Sequence, residues 1–320
     1  MAFWIRACAT TSVKAPETTG IARTDFDAFD LPNIEPRSFR SILNWISRSG
    51  LLCLGLTILG IMIAIAIVGP ILTELGIVAD PGRQALTQRF QSPSLAHPLG
   101  TDEFGRDLLA RLLLATRVSL AFGFVSGGVA LVVGVAFGLV SGYFRGRIDD
   151  AINALIGTLQ NIPYLFLLIL LSVTFRPSIE VLAVILGMTG WTGIARQVRG
   201  VTLVSRERQY IEAARALGAS DVRIIVRHIL PSLSSLILVL AGFDIAGAIL
   251  AESSLSFLGF GVQVPTPSWG NMLQRSLDMM GRAPWLVIVP GIMIVLAVLA
   301  LFLIADGLRD ALDPHDQRAR

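Results

Sequence analysis

Residues 212–231 read Glu-Ala-Ala-Arg-Ala-Leu-Gly-Ala-Ser-Asp-Val-Arg-Ile-Ile-Val-Arg-His-Ile-Leu-Pro and lie between two long apolar segments. The pattern predicts a helix, a tight turn and a second helix. Gly218 can adopt the left-handed conformation that ends the first helix, and Ser220 can cap the second, with Asp221 favourable in its first turn. Pro231 is expected to end the second helix, because proline lacks the amide N–H that a helix interior needs. A basic hairpin of this kind at a membrane face suggests a surface for a soluble partner.

The composition places the rest of the chain in a membrane. Of its 320 residues, 53% are hydrophobic and 15% are charged, and the mean hydropathy is +0.70. Apolar runs of about 18 residues or more mark membrane-spanning helices. Six segments meet this description: 51–72, 119–141, 156–175, 179–195, 232–251 and 285–305. Two of them are weaker, because Pro163 interrupts 156–175 and because 179–195 is short. We therefore predict an all-α polytopic membrane protein with about six transmembrane helices and a helical hairpin at about 205–231.

The basic residues follow this topology. A net charge of +3 and an isoelectric point near 9.3 could suggest nucleic-acid binding, but the arginines are distributed according to the membrane topology. Arg145, Arg147 and the arginines of 196–227 fall in connections on one face, which the positive-inside rule assigns to the cytoplasm together with both termini. The two cysteines, Cys8 and Cys53, cannot form a framework of disulfides.

The chain divides into four parts. Residues 1–36 are polar with little periodicity, which predicts a disordered cytoplasmic tail. Residues 37–50 carry apolar side chains at helical spacing and predict an interfacial helix, or simply the start of the first span with no function of its own. Residues 51–314 form the transmembrane domain, with the hairpin inside it, and 315–320 form a short cytoplasmic tail.

Two longer segments are expected on the outer side. Residues 73–118 end in His97-Pro-Leu-Gly-Thr-Asp-Glu-Phe-Gly-Arg-Asp107, where Thr101 and Asp102 can cap a helix that begins near Glu103. Residues 253–284 are too rich in Gly and Pro for a regular helix. They are expected to fold back against the protein, because irregular backbone inside a membrane is tolerated only against protein or water.

These motifs give the chain a resemblance to one family. The spacing from Glu212-Ala213-Ala214 through Gly218 to Leu230-Pro231 resembles the EAA loop of binding-protein-dependent ABC importer permeases. The blocks at 97–107 and 254–272 resemble the C-type permease of dipeptide, oligopeptide and nickel importers. The resemblance extends from about residue 50 to 314. Ala154 and Gly157 stand where the family is expected to carry Arg and Asp, and His228 where Ile is usual, which weakens assignment to a particular cargo.

The resemblance implies a coupling role for the hairpin and a set of partners. In that family the EAA loop docks onto the ATPase subunit. The alternative is a solvated basic loop that only obeys the positive-inside rule. The partners implied are a homologous B-type permease, two ABC ATPases, an extracytoplasmic substrate-binding protein and the lipid of a bacterial inner membrane. The residues expected to dock on the ATPase are Glu212, Ala213, Ala214 and Gly218, supported by Arg223, Leu230 and Pro231.

The sequence contains no catalytic or cofactor motif. A P-loop requires Gly-x-x-x-x-Gly-Lys-Ser/Thr, and the only lysine, Lys14, has no glycine-rich loop before it. His97, His228 and His315 lie in different segments and indicate no metal site. We therefore expect no enzyme activity, no catalytic residue and no cofactor or metal in this chain, with ATP and Mg²⁺ bound by the partner subunits.

Four residues are candidates for the translocation path that the resemblance implies: Asp244, Glu252, Gln263 and Trp269. An unpaired charge inside a span costs about 3 kcal/mol, so ionisable residues there are functional candidates. Asp244 could face a water-filled path and meet the ammonium group of a peptide, or it could make an interhelical hydrogen bond or be a protonated structural carboxyl. Glu252 and Asp306 lie near span ends, where structural roles are favoured. Gln263 and Trp269 belong to the segment expected at the outer mouth.

The function that these features predict is an ATP-driven importer permease for di- or oligopeptides. Nickel chelates, glutathione, opines and sugars stay open as cargo. A second hypothesis is a self-sufficient proton-coupled carrier that uses Asp244 and Asp306. Five glycines of the second span suit close helix packing rather than chemistry: Gly127, Gly128, Gly134, Gly138 and Gly142.

Overall fold

The computed structural model describes residues 50–175, 178–274 and 276–312. The predicted cytoplasmic tails and nearly all of the predicted interfacial helix lie outside these residues. Within them the chain is helical apart from turns, loops and an isolated bridge between Thr101 and Asp107. The α-helices, in chain order, are α1 Gly50–Glu74, α2 Leu108–Phe144, α3 Gly146–Gln160, α4 Tyr164–Phe175, α5 Ile179–Ser205, α6 Gln209–Ala216, α7 Asp221–Ile224, α8 Leu230–Ser232, α9 Ser234–Phe257, α10 Trp269–Leu273 and α11 Trp285–Leu312.

Five of the described helices (α1, α2, α5, α9 and α11) are long and apolar enough to cross a membrane. The predicted sixth span, 156–175, is not one helix. The chain bends by 82° between α3 and α4, so this pair forms either a broken span or a re-entrant loop. The break falls at Asn161-Ile162-Pro163 because Pro163 has no amide hydrogen and disfavours the helical conformation of the residue before it.

Helix α2 begins later than the sequence suggested. Its N-cap is Asp107, whose carboxylate accepts a 2.9 Å hydrogen bond from the backbone N–H of Ala110. The prediction that Thr101 and Asp102 cap a helix near Glu103 is therefore wrong. The Asp102 carboxylate instead accepts hydrogen bonds of 2.8 and 2.9 Å from the backbone N–H groups of Phe104 and Arg106. These bonds stabilise the turn ahead of the helix.

Helices α2 and α5 run parallel and form the most closely packed pair. A Cβ at Gly134, Gly138 or Gly142 would lie within 2.8 Å of atoms of α5, so only glycine lets the two backbones approach this closely. Gly127 has the same role against α9, at Ile245. Gly128 does not, because no atom lies within 4 Å of the position that its Cβ would take. The packing role predicted for Gly128 is wrong.

The helices define two ends of the bundle. The end that carries residues 75–107 and 258–284 is called the loop end. The other end carries the start of α3 and residues 206–233, and is called the hairpin end. Around α2, helices α1 and α9 run antiparallel to it, and α11 packs antiparallel to both of them, as the contacts of Gly55 with Ala300 and of Gly242 with Ala305 require.

Candidate functional site: the hairpin and the cavity

The first half of the hairpin folds as the sequence predicts. Helix α6 ends at Ala216, and Gly218 follows with φ of +81°, in the left-handed region that favours glycine. The Ser220 hydroxyl then accepts a 3.4 Å hydrogen bond from the N–H of Arg223 and caps α7, with Asp221 in its first turn. The predicted roles of Gly218 and Ser220 are confirmed.

The second half does not end at Pro231. Residues Ile225–Ile229 form a π-helical turn, in which the N–H of Leu230 bonds to the carbonyl of Ile225. The helical path continues through Pro231 and Leu233 into α9. The widened turn before the proline accommodates its ring and its missing N–H, which is a usual way for a helix to tolerate proline. The hairpin therefore runs directly into a membrane-spanning helix, and the prediction that Pro231 stops the helix is wrong.

One side of the hairpin is exposed in the part of the chain that the structure describes. Glu212, Ala213, Gly218, Arg223 and Pro231 are exposed, while Ala214 and Leu230 are half-buried. Two large apolar side chains that the sequence analysis did not select are also exposed: Leu217 is 89% and Val222 is 69% exposed. Apolar residues in a hairpin are usually assigned to the core from sequence, so pattern alone gave no signal that these two face outward.

The other side of the hairpin is anchored in the bundle. Ile211, Ile224 and Ile229 are fully buried and belong to a cluster with Leu139 of α2 and Val198 of α5. Burying an isoleucine side chain contributes about 1.5–3 kcal/mol. The anchored side fixes the position of the exposed side relative to the spans.

Polar contacts hold the hairpin to the end of α2. The Tyr143 hydroxyl donates a 2.6 Å hydrogen bond to the Asp221 carboxylate, and Arg215 donates to the same hydroxyl at 3.4 Å. Arg206 donates to the Tyr143 carbonyl. The hydrogen bond to Tyr143 raises the pKa of Arg215 above its usual value. Tyr143 and Asp221 lie 78 positions apart in sequence, and the sequence analysis missed this contact.

A second missed contact joins α3 to α5 beside the hairpin. The Arg199 guanidinium donates two hydrogen bonds of 2.6 Å, one to each oxygen of the Asp149 carboxylate. Asn153 and Ser141 also donate to this carboxylate. A bidentate pair of this kind fixes both position and orientation. Ala154 and Gly157 stand where family resemblance leads one to expect charged residues, but Asp149, earlier in the same helix, forms a charge pair with Arg199 of α5.

A cavity of about 460 Å³ opens between α2, α3, α4, α5 and α9. Ligand pockets are typically of this size. Asp244 is one of its wall residues and is half-buried. The polar wall residues Gln160 and Thr192 bond to each other at 3.2 Å. Tyr164 and Thr189 add two hydroxyl groups to the wall.

The structure does not bring the other three predicted path residues to this cavity. Glu252 is fully buried, and its carboxylate accepts hydrogen bonds from Ser256 at 2.6 Å and from Ser119 and Ser253 at 3.5 Å. Trp269 is also fully buried; its backbone N–H donates to Ser119. These contacts join α9 and α10 to α2. Gln263 lies on an exposed loop, and Asp306 is exposed near the end of α11.

The loop end contains further ion pairs. His97 Nδ1 lies 2.8 Å from Asp107, and the Arg106 guanidinium donates to Asp102 at 2.6 Å. Arg111 is 4% exposed, and its Nη1 has no hydrogen-bond partner among the described residues. Within the part of the chain that the structure describes, no group of three or more His, Cys, Asp or Glu side chains could hold a metal ion.

Bundled apolar helices, a cavity between five of them and an exposed hairpin at one end fit the class of membrane permeases. Residues 134–315 match the family described as "Binding-protein-dependent transport system inner membrane component". The chain belongs to this family, which makes it a multi-pass inner-membrane transport component and not an enzyme.

The chain is similar to several relatives and to solved structures. It is 38% identical over 274 residues to the dipeptide transport system permease protein DppC of Bacillus subtilis (strain 168), covering 85% of this chain and 84% of that protein. It is 42% identical over 224 residues to the glutathione transport system permease protein GsiD of Pectobacterium atrosepticum, covering 70% and 74%. A crystal structure titled "Inward facing conformations of the MetNI methionine ABC transporter" matches with a TM-score of 0.55 at 20% identity, covering 63% of this chain and 96% of that one. At this identity the match supports the fold alone.

Proposed function

We propose that this chain is the C-type permease subunit of an ATP-driven importer of di- and oligopeptides. It forms part of the translocation path and couples that path to partner ATPases through the hairpin of residues 205–231. Its partners are a homologous B-type permease, two ABC ATPases and an extracytoplasmic binding protein. The hairpin end and both termini face the cytoplasm. ATP and Mg²⁺ bind to the ATPases, and this chain carries no cofactor.

The observation that carries the proposal is the two-sided hairpin. Its outer side presents Leu217 and Val222 to solvent beside Ala213, whose small side chain allows close approach of a partner. Exposed apolar groups rimmed by charged side chains are typical of protein–protein contact sites. Arg223 and Glu212 supply that rim, and rim charges act mainly on specificity and association rate.

The anchored side of the hairpin gives a physical route for coupling. Displacement of the hairpin by an ATPase would be transmitted through the π-helical turn at Ile225–Ile229 into α9, because the helical path is continuous there. The same displacement would act on α2 through the Tyr143–Asp221 hydrogen bond. Both helices line the cavity that contains Asp244, so motion of the hairpin would change the shape of the path.

Glutathione is the second candidate cargo. The similarity to the glutathione permease GsiD, at 42% identity, favours it specifically, and glutathione is itself a tripeptide. The relatives do not favour a self-sufficient proton-coupled carrier.

The proposal is tested by reconstitution. The permease pair is incorporated into proteoliposomes with and without the ATPases, and uptake of a radiolabelled tripeptide is measured in the presence of the binding protein. We expect uptake only with the ATPases and hydrolysable ATP present. Uptake by this chain alone, or uptake that follows a proton gradient without ATP, would contradict the proposal.

A further inference from the structure

The Asp244 carboxylate occupies an unusual position. Asp244 is the eleventh of the 24 residues of α9, about 15 Å along the helix from its start, so the carboxylate lies well inside the membrane-spanning part. It makes no hydrogen bond or ion pair with any residue that the structure describes. An interhelical hydrogen bond, one of the two structural alternatives that the sequence left open, is therefore absent from the described part of the chain.

The described wall residues around Asp244 are uncharged. Of the described residues that line the cavity, Asp244 has the only side chain that is ordinarily charged at neutral pH. The other polar wall groups are uncharged: the hydroxyls of Ser126, Tyr164, Thr189 and Thr192 and the Gln160 amide. Outside the wall, the Arg196 guanidinium donates to the amide oxygen of Gln160. A carboxylate in a neutral wall attracts cations into the cavity, because the low dielectric of the surroundings strengthens its field.

The other wall groups complement a primary ammonium. An ammonium group has three N–H donors and no acceptor, so it needs several acceptors around it. Asp244 supplies two carboxylate oxygens. The Thr189 hydroxyl already donates to backbone carbonyls of its own helix, at 3.1 Å to Ile185 and 2.9 Å to Leu186, and it is also hydrogen-bonded to the Tyr164 hydroxyl. Because the Thr189 proton is used within α5, Tyr164 is the donor in that bond, and the Thr189 oxygen keeps one lone pair to accept. The Tyr164 hydroxyl is a further acceptor in the same wall.

We infer that Asp244, with the Thr189 and Tyr164 hydroxyls, forms a recognition site for the ammonium group of the cargo inside the translocation path. The ligand class is a short peptide with a free amino terminus. This inference rests on the proposed function and adds to it the group of the cargo that the permease itself recognises. The cavity of about 460 Å³ has room for such a ligand.

The test compares Asp244→Asn, which keeps the shape and removes the charge, with Asp244→Glu, which keeps the charge. Asp306→Asn is the matched control, because Asp306 is exposed near the end of α11 and outside the cavity wall. The complete transporter is reconstituted with its binding protein. Initial uptake rates of trialanine and of N-acetyl-trialanine are measured, each at a concentration that saturates the binding protein. The amount of assembled complex is measured in parallel.

We expect Asp244→Asn to lower trialanine uptake by about tenfold or more, the loss typical of a charge-assisted hydrogen bond. In the same variant, uptake of N-acetyl-trialanine should be unchanged or higher. Asp244→Glu should retain most trialanine uptake, and Asp306→Asn should behave as the wild type.

Three results would overturn the inference. They are an equal loss of uptake for both peptides in Asp244→Asn, unchanged trialanine uptake in that variant, or a fall in its assembled complex that Asp244→Glu restores. The last result would mean that Asp244 pairs with a cation of a partner subunit. The dependence of wild-type uptake on ATP tests the proposed function separately, because it is measured without comparing the variants or the two peptides.

Discussion

The Tyr143 hydroxyl donates a 2.6 Å hydrogen bond to the Asp221 carboxylate, which joins the last turn of α2 to the first turn of α7 in the hairpin. Tyr143 is 4% exposed, so the bond is shielded from water on one side. Arg215 and Arg206 donate to the hydroxyl and the carbonyl of the same tyrosine. Because α2 lines the cavity, this contact links the surface proposed for docking to the path.

Removing this hydrogen bond should weaken coupling as well as stability. Tyr143→Phe keeps the ring and loses the donor, at a cost of about 1.5–3 kcal/mol for a bond to a charged group. We expect fewer peptides transported per ATP hydrolysed, measured as the ratio of the two rates in proteoliposomes. Tyr210→Phe, at an exposed tyrosine of the same hairpin, is the control and should leave the ratio unchanged. A normal ratio in Tyr143→Phe would mean that the bond carries no coupling.

The two ion pairs at the hairpin end should differ in strength. The Asp149–Arg199 pair has side chains 13% and 28% exposed, whereas Arg145–Glu207 has side chains 42% and 63% exposed. Double-mutant cycles on thermal unfolding of the solubilised protein, with Asn or Gln replacing each charged residue, measure the coupling energies. We expect about 1–3 kcal/mol for the first pair and about 0–1 kcal/mol for the second. Equal values would remove the special role assigned to Asp149 and Arg199.

Two glycines of α2 should respond oppositely to alanine. In Gly138→Ala the new Cβ would lie 2.7 Å from the Ala195 carbonyl oxygen, so the α2–α5 contact has to open, at a cost of about 1–3 kcal/mol. Gly128→Ala meets no atom within 4 Å and should be neutral or stabilising by up to about 1 kcal/mol. Thermal unfolding of the solubilised protein checks both. If Gly138→Ala is as stable as Gly128→Ala, close packing of α2 on α5 is not what selects glycine.

The sequence predicts the local features of this fold well. Hydropathy located the long spans, because a run of apolar residues that crosses a bilayer is a property of one segment. Gly218 and Ser220 were also predictable, since a left-handed turn and a helix cap depend on residues a few positions apart.

The errors fall where neighbouring structure decides the outcome. Pro231 continues a helix because a π-helical turn accommodates it, and Asp107 caps α2 because Asp102 bonds to its own turn. The Asp149–Arg199 and Tyr143–Asp221 contacts join residues 50 and 78 positions apart, which no local pattern encodes. The sequence identified Asp244 as an ionisable residue inside a span, but only the structure shows that the other described residues of the cavity wall are uncharged.

The docking of the hairpin on an ATPase is tested most directly at Ala213. Ala213→Asp places a charge on the exposed side of α6, and Ala79→Asp makes the same change at an exposed alanine of the loop end. Each variant is co-expressed with the other transporter subunits, and the amount of ATPase that co-purifies with the permease is measured together with peptide uptake. We predict that Ala213→Asp loses both the ATPase and the uptake, while Ala79→Asp retains them. Wild-type amounts of ATPase and normal uptake with Ala213→Asp would contradict the account.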